Sequence, residues 1–263
     1  MSALLKIGII AVATCVITGC TTTAQYTSGQ DYLSRYPTSD MTLSSYSSET
    51  DADVRAIAAV EPDLRFPARI GLARIGEYGR LTSVPMDEAE SWRDAAETLG
   101  PSFGAFIPVS PLVANSVSSF DQRKNSPVID HIRRGAARQH LDYVIAYEVS
   151  DLAESDGNAL RIADLTVLGL FVLPSRNLKA EATASAILLD VRNGYPYLTG
   201  STFADKEGIS TVVGKGDRKE KLKNAARRVA VAQIADEFAD GLKDLKHVAD
   251  GVKLAEARMD AGK

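Results

Sequence analysis

The sequence predicts an α/β protein of α+β character with a single mixed sheet, and two observations predict that class. Between residues 66 and 149 the strand and helix patterns alternate, in the order strand, helix, strand, helix, strand. After residue 150 the rhythm changes, because three strand patterns follow one another and a long amphipathic helix ends the series. The expected architecture is therefore β-α-β-α-β, followed by an antiparallel meander and a long C-terminal helix.

Prolines and glycines mark the limits of the elements in the first half. Pro67 stands at the start of the first strand, where a missing N–H costs least. Pro85 opens the first helix, and Gly100-Pro101 ends it. The five elements are expected at residues 66–75, 85–99, 103–109, 126–140 and 141–149. The residues expected to face inward from the two helices are Ala89, Trp92, Ala96, Leu99, Ile129, Ile132, Ala136 and His140.

The meander strands are expected at residues 159–173, 178–191 and 195–204, with Asn193-Gly194 as the second turn. Alternate positions of the middle strand share one face and are mostly small: Leu178, Ala180, Ala182, Ala184, Ala186 and Leu188. A face of small side chains allows a helix to approach closely. We expect it to be covered by a helix over residues 218–248, through Leu222, Ala226, Val229, Ile234, Phe238, Leu242 and Leu245.

The first 19 residues have the features of an export signal. Lys6 is their one charge, and an apolar run follows it from residue 7 to residue 16. That run is too short to span a bilayer, which takes about 20 apolar residues. We therefore predict a cleaved signal peptide over residues 1–19.

The segment Ile17-Thr18-Gly19-Cys20 resembles the bacterial lipoprotein signal. The resemblance implies that Cys20 becomes the first residue of the mature chain and carries acyl chains on its sulfur and its amine. Two or more acyl chains hold a protein stably at a membrane. Thr21, in place of an aspartate, favours the outer membrane, with the protein on its periplasmic face. The alternative is an ordinary cleaved signal with an incidental cysteine.

Composition divides the remaining chain into three parts. Residues 20–65 are rich in Ser, Thr, Asp and Tyr and are expected to form a flexible tether after the acylated cysteine, about 35–40 Å long as a random coil. Residues 66–250 form the single α/β domain, and residues 251–263 a frayed tail. Four tyrosines allow part of the tether to dock on the domain or on a partner instead: Tyr26, Tyr32, Tyr36 and Tyr46.

Charge and cysteine content exclude several functions. A net charge of −4 argues against a nucleic-acid partner. Cys15 leaves with the signal and Cys20 is modified, so no thiol remains for a disulfide, catalysis or a metal. His131, His140 and His247 show no metal-ligand spacing. We therefore expect no metal and no cofactor.

No motif indicates an enzyme or a small-molecule substrate. The one G-x-S-x-G match, at residues 100–104, follows a predicted helix instead of a strand, so the strand–turn–helix setting of a nucleophile motif is missing. Glu88, Glu90 and Glu97 crowd one helix, where a solvated face is the common explanation for such carboxylates. An enzyme of an unrecognised class stays open as an alternative, and a pocket that gathers Glu148, His140 and a serine would support it.

One basic cluster stands out in an otherwise acidic chain. The glycines around Lys215 lack the spacing of a phosphate-binding loop. The cluster is a candidate for contact with anionic lipid headgroups or an acidic partner, and a solvated helix start is the alternative. Its residues are Lys215, Arg218, Lys219, Lys221 and Lys223, with Arg227 and Arg228 beyond them.

The domain resembles a group of outer-membrane lipoproteins that includes the curli secretion-channel lipoprotein and the activators of penicillin-binding proteins. The matching stretches are residues 67–75, 140–149 and 186–194, the last ending in Asp190 and a Gly turn. Residues 67–71 and 167–171 are similar to the rhombotarget lipoproteins, whose C-terminal sorting segment this chain lacks after Val252. The resemblance implies binding to an unknown envelope protein in envelope assembly or maintenance. A subunit of a secretion or pore assembly is the alternative.

Overall fold

The computed structural model describes residues 21–35, 48–116, 127–157, 176–210 and 215–261. The strands are β1 (Thr21–Ala24), β2 (Ile70–Gly76), β3 (Arg80–Thr82), β4 (Ile107–Pro108), β5 (Tyr143–Gly157), β6 (Arg176–Asp190) and β7 (Pro196–Ser210). The helices are α1 (Gly29–Ser34), α2 (Ser48–Ala58), α3 (Met86–Glu97), α4 (Pro111–Ser116), α5 (Val128–Arg138) and α6 (Lys215–Ala261).

The strands form one seven-stranded mixed sheet, in the order β1-β7-β6-β5-β2-β3, and β4 also pairs with β2. The β2–β5 and β2–β4 pairs are parallel, as the intervening helices require. The long strands β5, β6 and β7 are antiparallel neighbours. This architecture confirms the predicted fold class and the two meander strands predicted at residues 178–191 and 195–204. The strand that precedes them in the meander is β5, which continues to Gly157, beyond its predicted end at residue 149.

Helix α6 covers the alanine face of the meander, as the sequence predicts. Ala180, Ala182 and Ala184 are fully buried beneath it. The Thr202 hydroxyl donates to the carbonyl of Ala230 at 2.8 Å, so helix and sheet lie in close contact. A side chain at Gly241 would meet Leu198 at 2.9 Å. Small residues on both elements therefore permit this packing distance.

The opposite face of the sheet is covered only in part. Ile132 and Ala136 of α5 pack against Val144 and Ala146 of β5 in a second core. Strands β2 and β5 are thus enclosed on both sides, which explains the continuous apolar run of β5. Among the described residues no helix covers the outer face of β6 and β7, which carries polar pairs such as Ser185 with Ser201.

Part of the predicted tether is integrated into the domain. Strand β1 pairs with β7 from Thr21 opposite Ser201 to Ala24 opposite Leu198. The Thr22 hydroxyl donates to the carboxylate of Glu237 on α6. The structure therefore differs from the prediction of a flexible coil over residues 21–35 and 48–65. The reason is that β7 offers unpaired backbone groups at its edge, and the polar segment next to it satisfies them.

Other element limits differ from the prediction. His140 lies outside α5, in an exposed turn with φ of 57°, and does not face inward. The expected strand at residues 103–109 is reduced to β4. Helix α6 continues to Ala261, so the described part of the expected frayed tail is helical. The signal peptide, Cys20, the strand expected at residues 159–173 and Ser126 lie outside the described residues.

Candidate binding site

The position of α3 is fixed by a buried carboxylate in its first turn. Glu88 is 1% exposed. Its Oε2 accepts from Nε of Arg74 on β2 at 2.6 Å, and its Oε1 accepts from the Arg227 guanidinium on α6 at 2.9 Å. The Tyr147 hydroxyl of β5 donates to Oε2 at 2.8 Å. The expectation that Glu88 belongs to a solvated face is therefore wrong, because four elements enclose it.

Each charge of this cluster has a partner of opposite sign within the domain. Burial, and then the neighbouring charge of Glu88, raise the pKa of Tyr147, so that its hydroxyl stays a donor. Arg227 also faces Asp151 of β5, at 3.8 Å between Nε and Oδ1. Asp151 in turn binds the Lys223 ammonium at 2.8 Å. The cluster links α6 to β5 and α3 and leaves no unpaired carboxylate oxygen on Glu88 for proton transfer.

An apolar groove lies beside α3, one turn beyond Glu88. Trp92 forms its floor, and the indole is fully buried. Its ring lies 5.3 Å from Tyr147, 6.1 Å from Phe106 and 6.1 Å from Phe238, measured between ring centroids. The contacts with Phe106 and Phe238 are edge-to-face, and such contacts hold an aromatic side chain in one orientation. The floor of the groove is therefore rigid.

The walls of the groove are small and apolar. Its volume is about 530 Å³, within the range of about 300–1,000 Å³ that ligand sites occupy. Arg93 and Glu97 stand one turn apart at its edge and are exposed. The groove is lined by Leu72, Ala89, Trp92, Arg93, Ala96, Glu97, Gly100, Gly104, Ala105, Phe106 and Pro108. Such a lining suits two or three apolar side chains of a partner, with polar groups at the rim.

The predicted site residues fall into three groups. Cys20 and the side chain of Lys215 lie outside the described part of the structure. Arg218 and Lys221 are exposed, and Lys219 is half-buried. Lys223 turns inward to Asp151, and this hydrogen bond raises its pKa. The basic cluster is therefore divided between residues that face solvent and one that is held in an ion pair at the edge of the sheet.

The residues named for a possible enzyme do not meet. His140 precedes β5 and Glu148 lies five residues into that strand, about 17 Å from its start by strand geometry. Both side chains are exposed. Within the residues that the structure describes, no three His, Cys, Asp or Glu side chains are grouped to hold a metal. Among these residues, too, no helix is long and apolar enough to cross a bilayer.

A second polar cluster, which the sequence did not reveal, holds the N-terminal segment. Asp190, fully buried at the end of β6, accepts from the Arg192 guanidinium at 2.8 Å and from the backbone N–H of Arg192 at 2.8 Å. Arg192 then donates to the carbonyl of Asp63 at 2.9 Å. The Asn193 amide donates to the carbonyl of Glu61 at 2.9 Å. The Asp and Gly turn is therefore a clamp on the chain that enters the domain.

Three tyrosine hydroxyls complete this attachment. Tyr143 accepts from the backbone N–H of Arg65 and Tyr197 from that of Asp63, both at 2.7 Å. The Tyr195 hydroxyl accepts from the N–H of Thr27 and donates to its carbonyl, both at 3.0 Å. Burial raises the pKa of Tyr143 to about 12. The only signal in the sequence was the group of tyrosines near Asn193-Gly194, whose partners are distant in the chain.

The fold and this site define an α/β protein with a mixed sheet, a long covering helix and an apolar groove. No family model and no curated protein matches the sequence. The PelC dodecamer from Paraburkholderia phytofirmans is similar at 8% identity over 84% of this chain and 96% of that chain, with a TM-score of 0.34.

Two further solved structures are bacterial lipoproteins. Lipoprotein GNA1162 from Neisseria meningitidis is similar at 16% identity, over 60% of this chain and 97% of that one, with a TM-score of 0.29. Rare lipoprotein B from Shewanella oneidensis is similar at 10% identity, over 70% and 98%, with a TM-score of 0.28. These distant likenesses do not assign the chain to a family.

Proposed function

We propose that this protein is a lipid-anchored envelope lipoprotein on the periplasmic face of the outer membrane, and that it binds a protein partner through the groove beside α3. The groove is the observation that carries the binding proposal, because it is open, apolar and built on a rigid floor. The anchor rests on the signal that ends in Cys20. An anchored protein that binds a partner brings that partner to the membrane surface. We therefore propose a role in the assembly or maintenance of the cell envelope.

Binding suits this site better than catalysis. The groove is lined almost entirely by side chains without acid–base or nucleophilic chemistry. The nearest buried carboxylate, Glu88, already accepts from two arginines and a tyrosine. Its role is to position α3, and with it the floor and one wall of the groove. We therefore propose that the protein is not an enzyme.

The shape of the groove indicates what the partner presents. A small number of apolar or aromatic side chains entering a desolvated pocket carries most of the free energy in many protein interfaces. Arg93 and Glu97 at the rim supply one charge of each sign beside the entrance. We therefore propose an apolar segment with polar flanks as the bound element.

Filling the groove tests this proposal. Ala96 is half-buried in the wall, so Ala96→Phe occupies the groove while α3 keeps its attachment. A photo-crosslinking residue at exposed Ala105 captures what binds there in intact envelopes, and mass spectrometry identifies it. We expect Ala96→Phe to abolish the crosslinked product.

The matched control is Ala137→Phe, the same change at an exposed site on α5. It is expected to leave the product unchanged, and a thermal melt of each variant checks that both fold. A crosslinked product that survives in Ala96→Phe would refute the groove as the binding site. Detergent-extracted protein that runs as a ring-sized oligomer would favour a secretion or pore subunit instead.

A further inference from the structure

The first strand removes the length of chain that would hold the domain away from the membrane. Thr21 is already paired with Ser201 of β7. Cys20 is its covalent neighbour, and consecutive Cα atoms lie about 3.8 Å apart. The residue that carries the acyl chains is therefore next to the edge strand of the sheet. A flexible coil over residues 20–65 would instead have allowed a distance of about 35–40 Å between the membrane and the domain.

This attachment is secured along its length. The N–H of Gln25 donates to the carbonyl of Tyr197 at 2.9 Å, directly after β1. Thr22 binds Glu237 of α6, and Thr27 exchanges two hydrogen bonds with the Tyr195 hydroxyl. The segment from Thr21 to Thr27 is thus bound to the domain at both ends and in its middle.

The domain also extends well past the anchor in the direction of the strands. Strand β7 continues from Thr202 to Ser210, about 25 Å at the usual rise per residue. Helix α6 follows it, since Ala230 touches Thr202 and the residues before Ala230 lie further along. In an upright domain, with its strands perpendicular to the membrane and the end of β7 toward it, this part would enter the bilayer. Its charged residues include Asp205, Lys206, Glu207, Arg218 and Lys221.

Charged side chains in hydrocarbon are costly, so the upright orientation is excluded while β1 stays paired. The remaining orientation places the strands parallel to the bilayer surface, with the β1–β7 edge toward it. Resting on the proposed lipid anchor, we propose that the protein lies edge-on, with β1, the outer edge of β7 and one flank of α6 against anionic lipid headgroups.

Helical geometry identifies the basic side chain on that flank. Lys219 precedes Glu237 by 18 residues, which is five full turns of an α-helix. Glu237 reaches Thr22 of β1, so Lys219 lies on the same side of α6, above the part of β7 beyond Thr202. Lys221 lies about 200° further around the helix, on the side away from this edge. Each basic residue near an anionic surface strengthens membrane binding roughly fivefold.

Thiol labels measure the orientation directly. The acylated protein has no free thiol once residues 1–19 are removed and Cys20 is modified, so one introduced cysteine carries the only label. The labelled sites are Phe203→Cys and Lys206→Cys on β7, and Arg80→Cys on β3. The protein is reconstituted into vesicles of phosphatidylethanolamine and phosphatidylglycerol, and quenching by a headgroup nitroxide lipid reports the approach of each label.

Arg80 is the matched control, because it lies at nearly the same level along the strands as Phe203 but at the opposite edge. Gly76, its partner on β2, is one residue beyond the level of Glu148 and Ser201. Five strand spacings separate β1 from β3, about 24 Å. The edge-on orientation is expected to give strong quenching at residues 203 and 206 and no quenching at residue 80.

Two other patterns would overturn the proposal. Weak quenching at all three sites would mean that the domain stands off on a free tether. An upright domain would instead give strong quenching at residue 206 and weaker quenching at residues 203 and 80, equal at those two sites. A chain that does not float with the vesicles would refute the lipid anchor itself, so the failure of the proposed function is distinguishable from the failure of the orientation.

Charge reversal tests the headgroup contact separately. Lys219→Glu is expected to lower the quenching at residue 203 in vesicles with phosphatidylglycerol and to have no effect in vesicles of phosphatidylethanolamine alone. Lys221→Glu makes the same change on the far side of α6 and is expected to leave the signal unchanged. Equal effects of the two substitutions would refute the assigned flank.

Discussion

The carboxylate of Glu88 accepts a hydrogen bond from the guanidinium of Arg227 at 2.9 Å, across 139 positions of the chain. This contact joins the first turn of α3 to the middle of α6. Arg74 of β2 binds the same carboxylate, so two half-buried positive charges share one buried negative charge. The wall and the floor of the groove both depend on this arrangement.

Glu88→Gln is expected to lower the free energy of unfolding by about 3 kcal/mol, because removing one partner of a buried ion pair leaves the others uncompensated. Urea unfolding measures the change. Glu90→Gln on the same helix is the control, since Glu90 faces solvent and lies 3.9 Å from exposed Arg93; its effect is expected below about 0.5 kcal/mol. Equal effects of the two variants would contradict the role of Glu88.

A larger side chain is expected to destabilise the protein when it replaces a residue on the alanine face of β6, and to have little effect on the opposite face of the same strand. Ala184 is fully buried beneath α6, and Thr183 lies on the exposed side of the same strand. Ala184→Leu should cost about 1–3 kcal/mol by forcing helix and sheet apart. Thr183→Leu should change stability little. Thermal melts compare the two variants, and a melting temperature unchanged in Ala184→Leu would show that the packing is loose.

These two cases show what the sequence can and cannot predict about this fold. The alanine face, the covering helix and the last two strands of the meander follow from periodicities of two and 3.6 residues, which are local properties. Glu88 does not, because its burial depends on Arg74, Tyr147 and Arg227 from three other elements. A carboxylate near the start of a helix reads as solvated unless those partners are known.

The tether prediction differed from the structure for a related reason. A polar, Ser-rich and Thr-rich segment has no hydrophobic period, so composition indicates a coil. In the structure, backbone groups fix it, through pairing with β7 and through the hydroxyls of Tyr143, Tyr195 and Tyr197. Such contacts depend on the fold and leave almost no trace in the local sequence. The groove was equally invisible, since its lining comes from α3, β2, β4 and the segment before β4.

Asp190→Asn is expected to loosen the clamp on the N-terminal segment. The substitution removes the charge that orients Arg192, which binds the carbonyl of Asp63. We expect a loss of about 1–3 kcal/mol in the free energy of unfolding. Hydrogen exchange should be faster at the amides of Asp63 and Arg65. Asp244→Asn, at an exposed site on α6, is the control, and unchanged exchange in Asp190→Asn would contradict the clamp.

Stability is expected to fall at alkaline pH because of the buried tyrosines. Burial raises the pKa of Tyr143 to about 12 from its ordinary 10.0, and burial also raises the pKa of Tyr197. The folded protein therefore holds these protons more tightly than the unfolded chain. Stability is fully present below pH 10 and is lost as the pH rises toward 12, by about 1.4 kcal/mol per pH unit for each tyrosine.

Urea unfolding between pH 9 and pH 11 measures this slope. Tyr143→Phe is expected to reduce the slope, since one of the titrating hydroxyls is removed. Tyr78→Phe, at a tyrosine that is 92% exposed, should leave the slope as it is. A slope unaltered by Tyr143→Phe would show that this hydroxyl does not contribute to the alkaline loss.

Glu237 and Phe238 are adjacent residues of α6 that contact different parts of the molecule. Glu237 holds the strand next to Cys20, and Phe238 supports the indole of Trp92 under the groove. One peptide unit thus separates the two contacts, and the helix that contains it is about 70 Å long. Any rotation of α6 about its own axis would move both contacts together, so this helix would couple the proposed lipid anchor mechanically to the proposed binding groove.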